Sequence, residues 1–206
     1  MKQKNEFDNC LSWDIIIDKK EKFDHHIYVN TGQFGIAVVY WGDGSKKDVL
    51  PSFEKNSKLT DVDHIYAKPG RYTITITGEA IHVKMGSYGW RVVCVNQWNL
   101  HGYIGQIGNM YSNGEPARDG SWYSGEFNRC YNLIEIKEGC ELSKTMKSAM
   151  GMFEYNYKLK SVPESFKLPN GLISAAFMFH GCKELNTLNF KKFPLPKSVK
   201  DADNMF

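Results

Sequence analysis

The sequence predicts a mainly β protein in which a small two-sheet sandwich is followed by a short repeat solenoid. Three observations predict it. The first 80 residues break into short β-branched and aromatic runs. A Gly-Asp-Gly turn and a Pro-Gly turn punctuate those runs. From residue 127 onward, phenylalanine and aliphatic residues recur with a step of 26. Aromatic residues make up 14% of the 206-residue chain, more than a small helical bundle needs, which suits strands and adhesive surfaces.

Asp14-Ile15-Ile16-Ile17, His26-Ile27-Tyr28-Val29, Gly35 to Trp41 and Arg71 to Thr77 read as strands. The last alternates strictly. Tyr72, Ile74 and Ile76 fall on one face and Thr73, Thr75 and Thr77 on the other, the pattern of a half-buried antiparallel strand. Trp41-Gly42-Asp43-Gly44-Ser45 closes the third run in a tight turn, because the glycines accept positive φ and the Asp43 carboxylate accepts neighbouring N–H groups. His64-Ile65-Tyr66-Ala67-Lys68-Pro69-Gly70-Arg71-Tyr72 sets a Pro-Gly turn directly ahead of the alternating strand.

On these residues the segment from about 10 to 80 resembles the polycystic-kidney-disease (PKD) type immunoglobulin-like sandwich, whose signature is W-G-D-G, then H-x-Y, P-G and a Y-T-I-T-I strand. The resemblance implies structural roles for Trp41, Gly42, Asp43, Gly44, His64, Tyr66, Gly70 and Tyr72: Trp41 in the core, Asp43 in the turn, His64 and Tyr66 pinning the Pro-Gly turn. A calcium site at Asp43 with Asp48, Asp61 or Asp63 would lack the ligand spacing of a calcium loop, so no metal is expected.

In the second half, Phe127, Phe153 and Phe179 are 26 residues apart, and Phe206 follows after 27. Leu133, Leu159 and Leu185 keep the step, as do Ile136, Val162 and Leu188, and Cys130, Asn156 and Cys182. The units read M-F-x-x-C/N-x-x-L-x-x-L/I/V, and a unit with so few apolar groups must stack on its neighbours to bury them. This text resembles the BspA-like leucine-rich repeat of bacterial surface lipoproteins. The resemblance implies short helices that carry M-F and lead through Cys or Asn into short parallel strands. The expected architecture is therefore a PKD/Ig-like sandwich over residues 1–80 and a leucine-rich-repeat solenoid over 81–206. Cys130 and Cys182 are two repeats apart, which at ~4.8 Å per strand separates their Cα atoms by ~10 Å, too far for a disulfide.

Arg91 to Trp98 reads as an earlier repeat strand, since Val92 to Leu133 is 41 residues, one repeat plus 15. The excess falls in a long loop at about 102–122, rich in Gly, Asn, Ser and Tyr. Tyr103, Tyr111, Trp122 and Tyr123 there have the composition of a binding loop, with rigid aromatic anchors in adaptable polar surroundings. The loop either forms a binding face or covers the junction of the modules. Ile81 to Met85 is expected to be a last strand passing into the solenoid. At the C-terminal end, Met205 and Phe206 open a further M-F unit, and either fold back on the last repeat or meet a partner or another copy of the chain.

A net charge of +3 from mixed acidic and basic residues gives no stripe that would track nucleic acid. The stretch from Met1 to Asp18 has no apolar run of signal-peptide or membrane-span length. Five cysteines without a C-x-x-C pair read as free packing thiols. No phosphate loop, nucleophile elbow or paired zinc ligand is legible, and adjacent His25 and His26 must point to opposite faces of a strand. The expectation is a non-enzymatic binding protein without cofactor, nucleic acid or membrane insertion. Protein partners or a glycan are its ligands, and it works as a bacteriophage virion component, a bacterial surface adhesin or a carbohydrate-binding accessory module.

Overall fold

The computed structural model describes residues 6–19, 24–32, 35–52, 60–86, 89–100, 125–185 and 193–206. They form a mainly β protein with nine strands: β1 (Cys10–Ile17), β2 (Asp24–Asn30), β3 (Ala37–Tyr40), β4 (Asp48–Leu50), β5 (Thr60–Ile65), β6 (Gly70–Gly78), β7 (His82–Met85), β8 (Val92–Trp98) and β9 (Glu135–Ile136). One sheet has the order β4-β3-β6-β1-β8-β9 and the other β5-β2-β7.

The alternating run becomes β6, flanked by β3 and β1. Its pairing with β1 sets Trp13 opposite Ile74 and Ile15 opposite Tyr72, so the apolar faces of both strands coincide. Trp13, Ile15, Ile74 and Ile76 are completely buried and share a core with Ile27, Val29 and Val62 of the three-stranded sheet. On the other face of β1, Asp14 is satisfied by four hydrogen bonds, two from Arg71, one from Thr73 and one from Asn96. Burial works against its charge, yet these donors hold the Asp14 carboxyl below its ordinary value.

The sheets continue past residue 80, where the expected sandwich gives way to the expected solenoid. Ile81 to Met85, expected as a strand entering the repeats, supplies β7, which pairs antiparallel with β2. β8 pairs antiparallel with β1 on one side and parallel with β9 on the other, with Cys94 opposite Glu135 and Val95 opposite Ile136. That parallel register is the 41-residue offset read from Val92 and Leu133. β8 is thus shared between the first sheet and the repeats, and Trp13 and Trp98 both pack edge-on against Phe127.

Beyond β9 the main chain repeats itself. Phe127, Phe153, Phe179 and Phe206 stack ring on ring at 5.9, 5.6 and 5.9 Å, all within 11° of parallel. Parallel bridges join Glu135 to Ser161, Ser148 to Ser174 and Ser174 to Asp201. The first members of the other columns, Cys130 and Leu133, and their successor Leu159 are fully buried. Cys182 and Leu185 are partly buried and pack against the same core.

The short helices expected at the M-F segments are absent among the described residues; tight turns stand there instead. The reason lies in where the N–H groups go. Asn128 and Cys130 donate three residues back, to Gly125 and Phe127, whereas Phe127 and Arg129 donate forward to Met152 and Glu154 of the next repeat. The same alternation recurs from Phe153 to His180. Because every second N–H leaves the turn, the run of bonds to the fourth preceding carbonyl that defines an α-helix cannot form. The geometry brings Arg129, Tyr155 and Gly181 to φ of 58°, 59° and 72°, and Gly151, Phe177 and Asn204 to 59°, 56° and 50°. Left-handed positions therefore recur along the array, paired four residues apart at Gly151 and Tyr155 and at Phe177 and Gly181, and most are occupied by side-chain-bearing residues that ordinarily avoid them.

Candidate functional site

The candidate functional side chains fall into four groups. The first surrounds the W-G-D-G turn between β3 and β4. Trp41 is buried and donates its indole N–H to Asp48 at 2.6 Å, while its carbonyl accepts the Tyr66 hydroxyl at 2.9 Å. The His64 ring stacks on Trp41 at 4.8 Å and 11°, and its Nε2 lies 2.8 Å from the Asp43 carboxylate. Tyr66 stacks on Tyr72 at 4.2 Å, next to the Pro-Gly turn. Desolvation opposes the charge on Asp43, but hydrogen bonds from Ser45 and His64 pull its carboxyl down to about 2. Gly42, at φ 82°, lies against the backbone of Thr73, where a side chain would clash. Asp43 and Asp48 are thus engaged by His64 and Trp41, and Asp61 and Asp63 gather instead beside His26, on the opposite face of β5 from His64. Those three side chains could hold a metal ion.

The second group is the end of the phenylalanine stack. Met205 is buried and its carbonyl accepts from Phe179 N at 2.7 Å. Phe206 covers one face of Phe179 and stays 44% exposed. Both residues thus extend the array by a further rung, and Phe206 presents apolar surface.

A third group was not singled out in the sequence, although it follows the same 26-residue step. Tyr131 and Tyr157 stack at 5.2 Å and 7°, each 37% exposed, and the Lys183 ammonium lies 4.9 Å from the Tyr157 ring centre. Beside them Arg129 lies over Tyr155, which meets His180 edge-on. The result is a ridge of aromatic and cationic side chains along the repeats. Tyr103, Tyr111, Trp122 and Tyr123 of the expected binding loop lie outside the described residues.

The fourth group is the thiols and buried histidines. All five cysteines are free, Cys182 alone being partly exposed. Burial raises every thiol, Cys10 to about 11 and Cys94, Cys140 and Cys182 to about 12, with Cys130 also well above its ordinary value. Such thiols are poor nucleophiles at neutral pH. Burial lowers His25 and His82 to about 3, so both rings are neutral. An open groove lined by Lys167, Leu168, Phe193, Leu195 and Lys197 offers ammonium groups and apolar surface.

Two sheets and a stack of repeating turns define a mainly β protein, and among the described residues no helix is long and apolar enough to cross a membrane. No family model, curated protein or solved structure matches the chain.

Proposed function

We propose that this chain is a non-enzymatic binding and assembly protein, a PKD/Ig-like sandwich continued by a short BspA-like leucine-rich-repeat solenoid, and that it serves as a component of a bacteriophage particle. The observation that carries this reading is the stack of Phe127, Phe153, Phe179 and Phe206. Side chains one period apart that share a single apolar column are how a solenoid builds its core, and such scaffolds present long lateral surfaces to protein partners.

The Tyr131–Tyr157–Lys183 ridge supports a protein ligand over a glycan. The Tyr157 ring carries Tyr131 stacked on it and the Lys183 ammonium against it. A sugar that stacks needs an open ring face, whereas edges, hydroxyls and ammonium groups suit an acidic or polar protein surface. A surface adhesin that binds a host protein uses the same geometry and differs in location.

The test is co-expression with the products of neighbouring genes, followed by sedimentation of assembled particles. Co-sedimentation of the full chain supports the particle reading; neighbours encoding secretion and cell-wall proteins, with no particle formed, would favour the adhesin. A chain lacking Gly105 to Gly120 that binds fully would remove the loop as the contact. Hydrolysis of a peptide or polysaccharide by the purified chain would overturn the non-enzymatic reading.

A further inference from the structure

We propose that His26, Asp61 and Asp63 form a binding site for a divalent first-row transition metal, with Zn²⁺ the best fit, on the outer face of the β5-β2-β7 sheet. The β2–β5 register sets His26 opposite Asp63 and Tyr28 opposite Asp61, so His26 faces one aspartate directly and the other diagonally. Asp61 and Asp63 are two residues apart on β5 and therefore share a face, with buried Val62 pointing the other way. His25 and Ile27 are likewise buried on either side of His26. Three donors thus emerge together from two hydrogen-bonded strands, whose ladder fixes their separation before any ion arrives.

The donor atoms converge. One nitrogen of His26 and one oxygen of each carboxylate all lie within 4.8 Å of one another. His26 Nε2 is in direct contact with Asp61 Oδ1, and Nδ1 is 3.7 Å from Asp63 Oδ1. Zinc bonds of roughly 2.0–2.2 Å place tetrahedral ligands about 3.4 Å apart, inside the 4.8 Å span of these donor atoms. The imidazole is steadied by the Tyr28 ring at 4.5 Å, and Gly86 N–H donates to the His26 carbonyl at 2.9 Å. Lys84, opposite Tyr28, places its ammonium over the Tyr28 ring. Among the described residues no lysine or arginine forms an ion pair with Asp61 or Asp63, so two like charges sit side by side with His26 as their shared neighbour.

Chemistry selects the ion. Two carboxylates balance a divalent charge, and one imidazole favours a borderline transition metal over calcium or magnesium, which take oxygen ligands in larger number. The aspartate side chains are 58% and 68% exposed, leaving the remaining coordination positions open to water or to a carboxylate or imidazole of a partner.

Titration of the full-length chain with ZnCl₂ in metal-free buffer, followed by calorimetry and thermal unfolding, tests this. One ion per chain is expected, with a rise in Tm of about 5 °C or more at a hundredfold excess over Kd. Asp61→Asn, Asp63→Asn and His26→Ala should each weaken binding at least tenfold, the two exposed aspartate variants leaving the metal-free Tm within about 2 °C of the parent. His180→Ala, on the repeats, should bind as the parent does. Absence of saturable binding would overturn the proposal, and so would binding that survives in the Asp61→Asn, Asp63→Asn double variant. Calcium binding unaffected by His26→Ala would remove the imidazole from the site and overturn the assignment to a transition metal.

Discussion

Asn156 donates its side-chain amide to the Phe127 carbonyl of the preceding repeat at 3.0 Å, and Cys182, one repeat on, directs its thiol to the Phe153 carbonyl at 3.1 Å. This explains why cysteine and asparagine interchange in one column: both carry a donor of the right reach to a buried main-chain oxygen. Asn156→Ala should cost about 1 kcal/mol for the lost hydrogen bond, since the Phe127 carbonyl still accepts from Cys130 N–H, whereas Asn156→Cys should retain most of the stability. Urea unfolding of the two variants checks this. Equal losses would show that the column is filled for volume alone.

Phe153 is fully buried between the rings of Phe127 and Phe179, whereas Phe206 has one stacked neighbour in the column and is 44% exposed. Phe153→Ala should therefore cost about 3–5 kcal/mol and Phe206→Ala about 1 kcal/mol. Chemical denaturation distinguishes them. Similar costs would mean that the stack does not act as a continuous core.

Two glycines test the turn geometry separately from side-chain packing. A Cβ on Gly125 would stand 2.4 Å from the Gly151 carbonyl carbon and the Met152 nitrogen, backbone atoms that cannot yield without separating two repeats. Gly125→Ala is expected to cost about 3 kcal/mol. Gly151 has space, its nearest neighbour being the Glu154 carboxylate at 3.5 Å, but its φ is 59°. Gly151→Ala should cost only the left-handed penalty of about 1–2 kcal/mol. Reversal of that order in thermal unfolding would contradict the close approach of Gly125 to the next repeat.

Acid should weaken the fold before the carboxylates titrate. Burial, with the Arg91 charge as the next cause, lowers His25 to about 3, and burial with Lys84 lowers His82 to about 3. Unfolded histidine titrates near 6.5, so between about 6.5 and 3 the unfolded chain binds protons that the folded chain refuses. Stability is full above that window and falls with decreasing pH by about 1.4 kcal/mol per unit for each histidine. Asp14 and Asp43, both lowered, add a loss of the same sign at more acidic pH. Urea midpoints at pH 7 and pH 5 measure the slope, and His82→Gln should flatten it by about half. A midpoint unchanged between the two pH values would mean that both rings take up protons in the folded state.

Features that are local or periodic are legible in the amino-acid order. Alternation in Tyr72 to Thr77 predicted a strand with one buried face, the Gly42–Gly44 turn followed from conformational freedom, and the 26-residue step located the phenylalanine column. The same step would have disclosed the Tyr131, Tyr157 and Lys183 ridge. Which strands meet depends on packing between distant segments. β7 joins β2 and β8 joins β1, across the boundary near residue 80 that the motifs suggest. M-F segments that read as short helices are turns, because half of their N–H groups are taken by carbonyls 25 or 26 residues away. The sequence sets His26 beside His25 and the aspartates beside Asp43, whereas the fold gathers His26, Asp61 and Asp63; nothing local brings residues 26 and 63 together. Register does, and it is set by burying Ile27 and Val62 on one face, a choice the energy of the whole core makes.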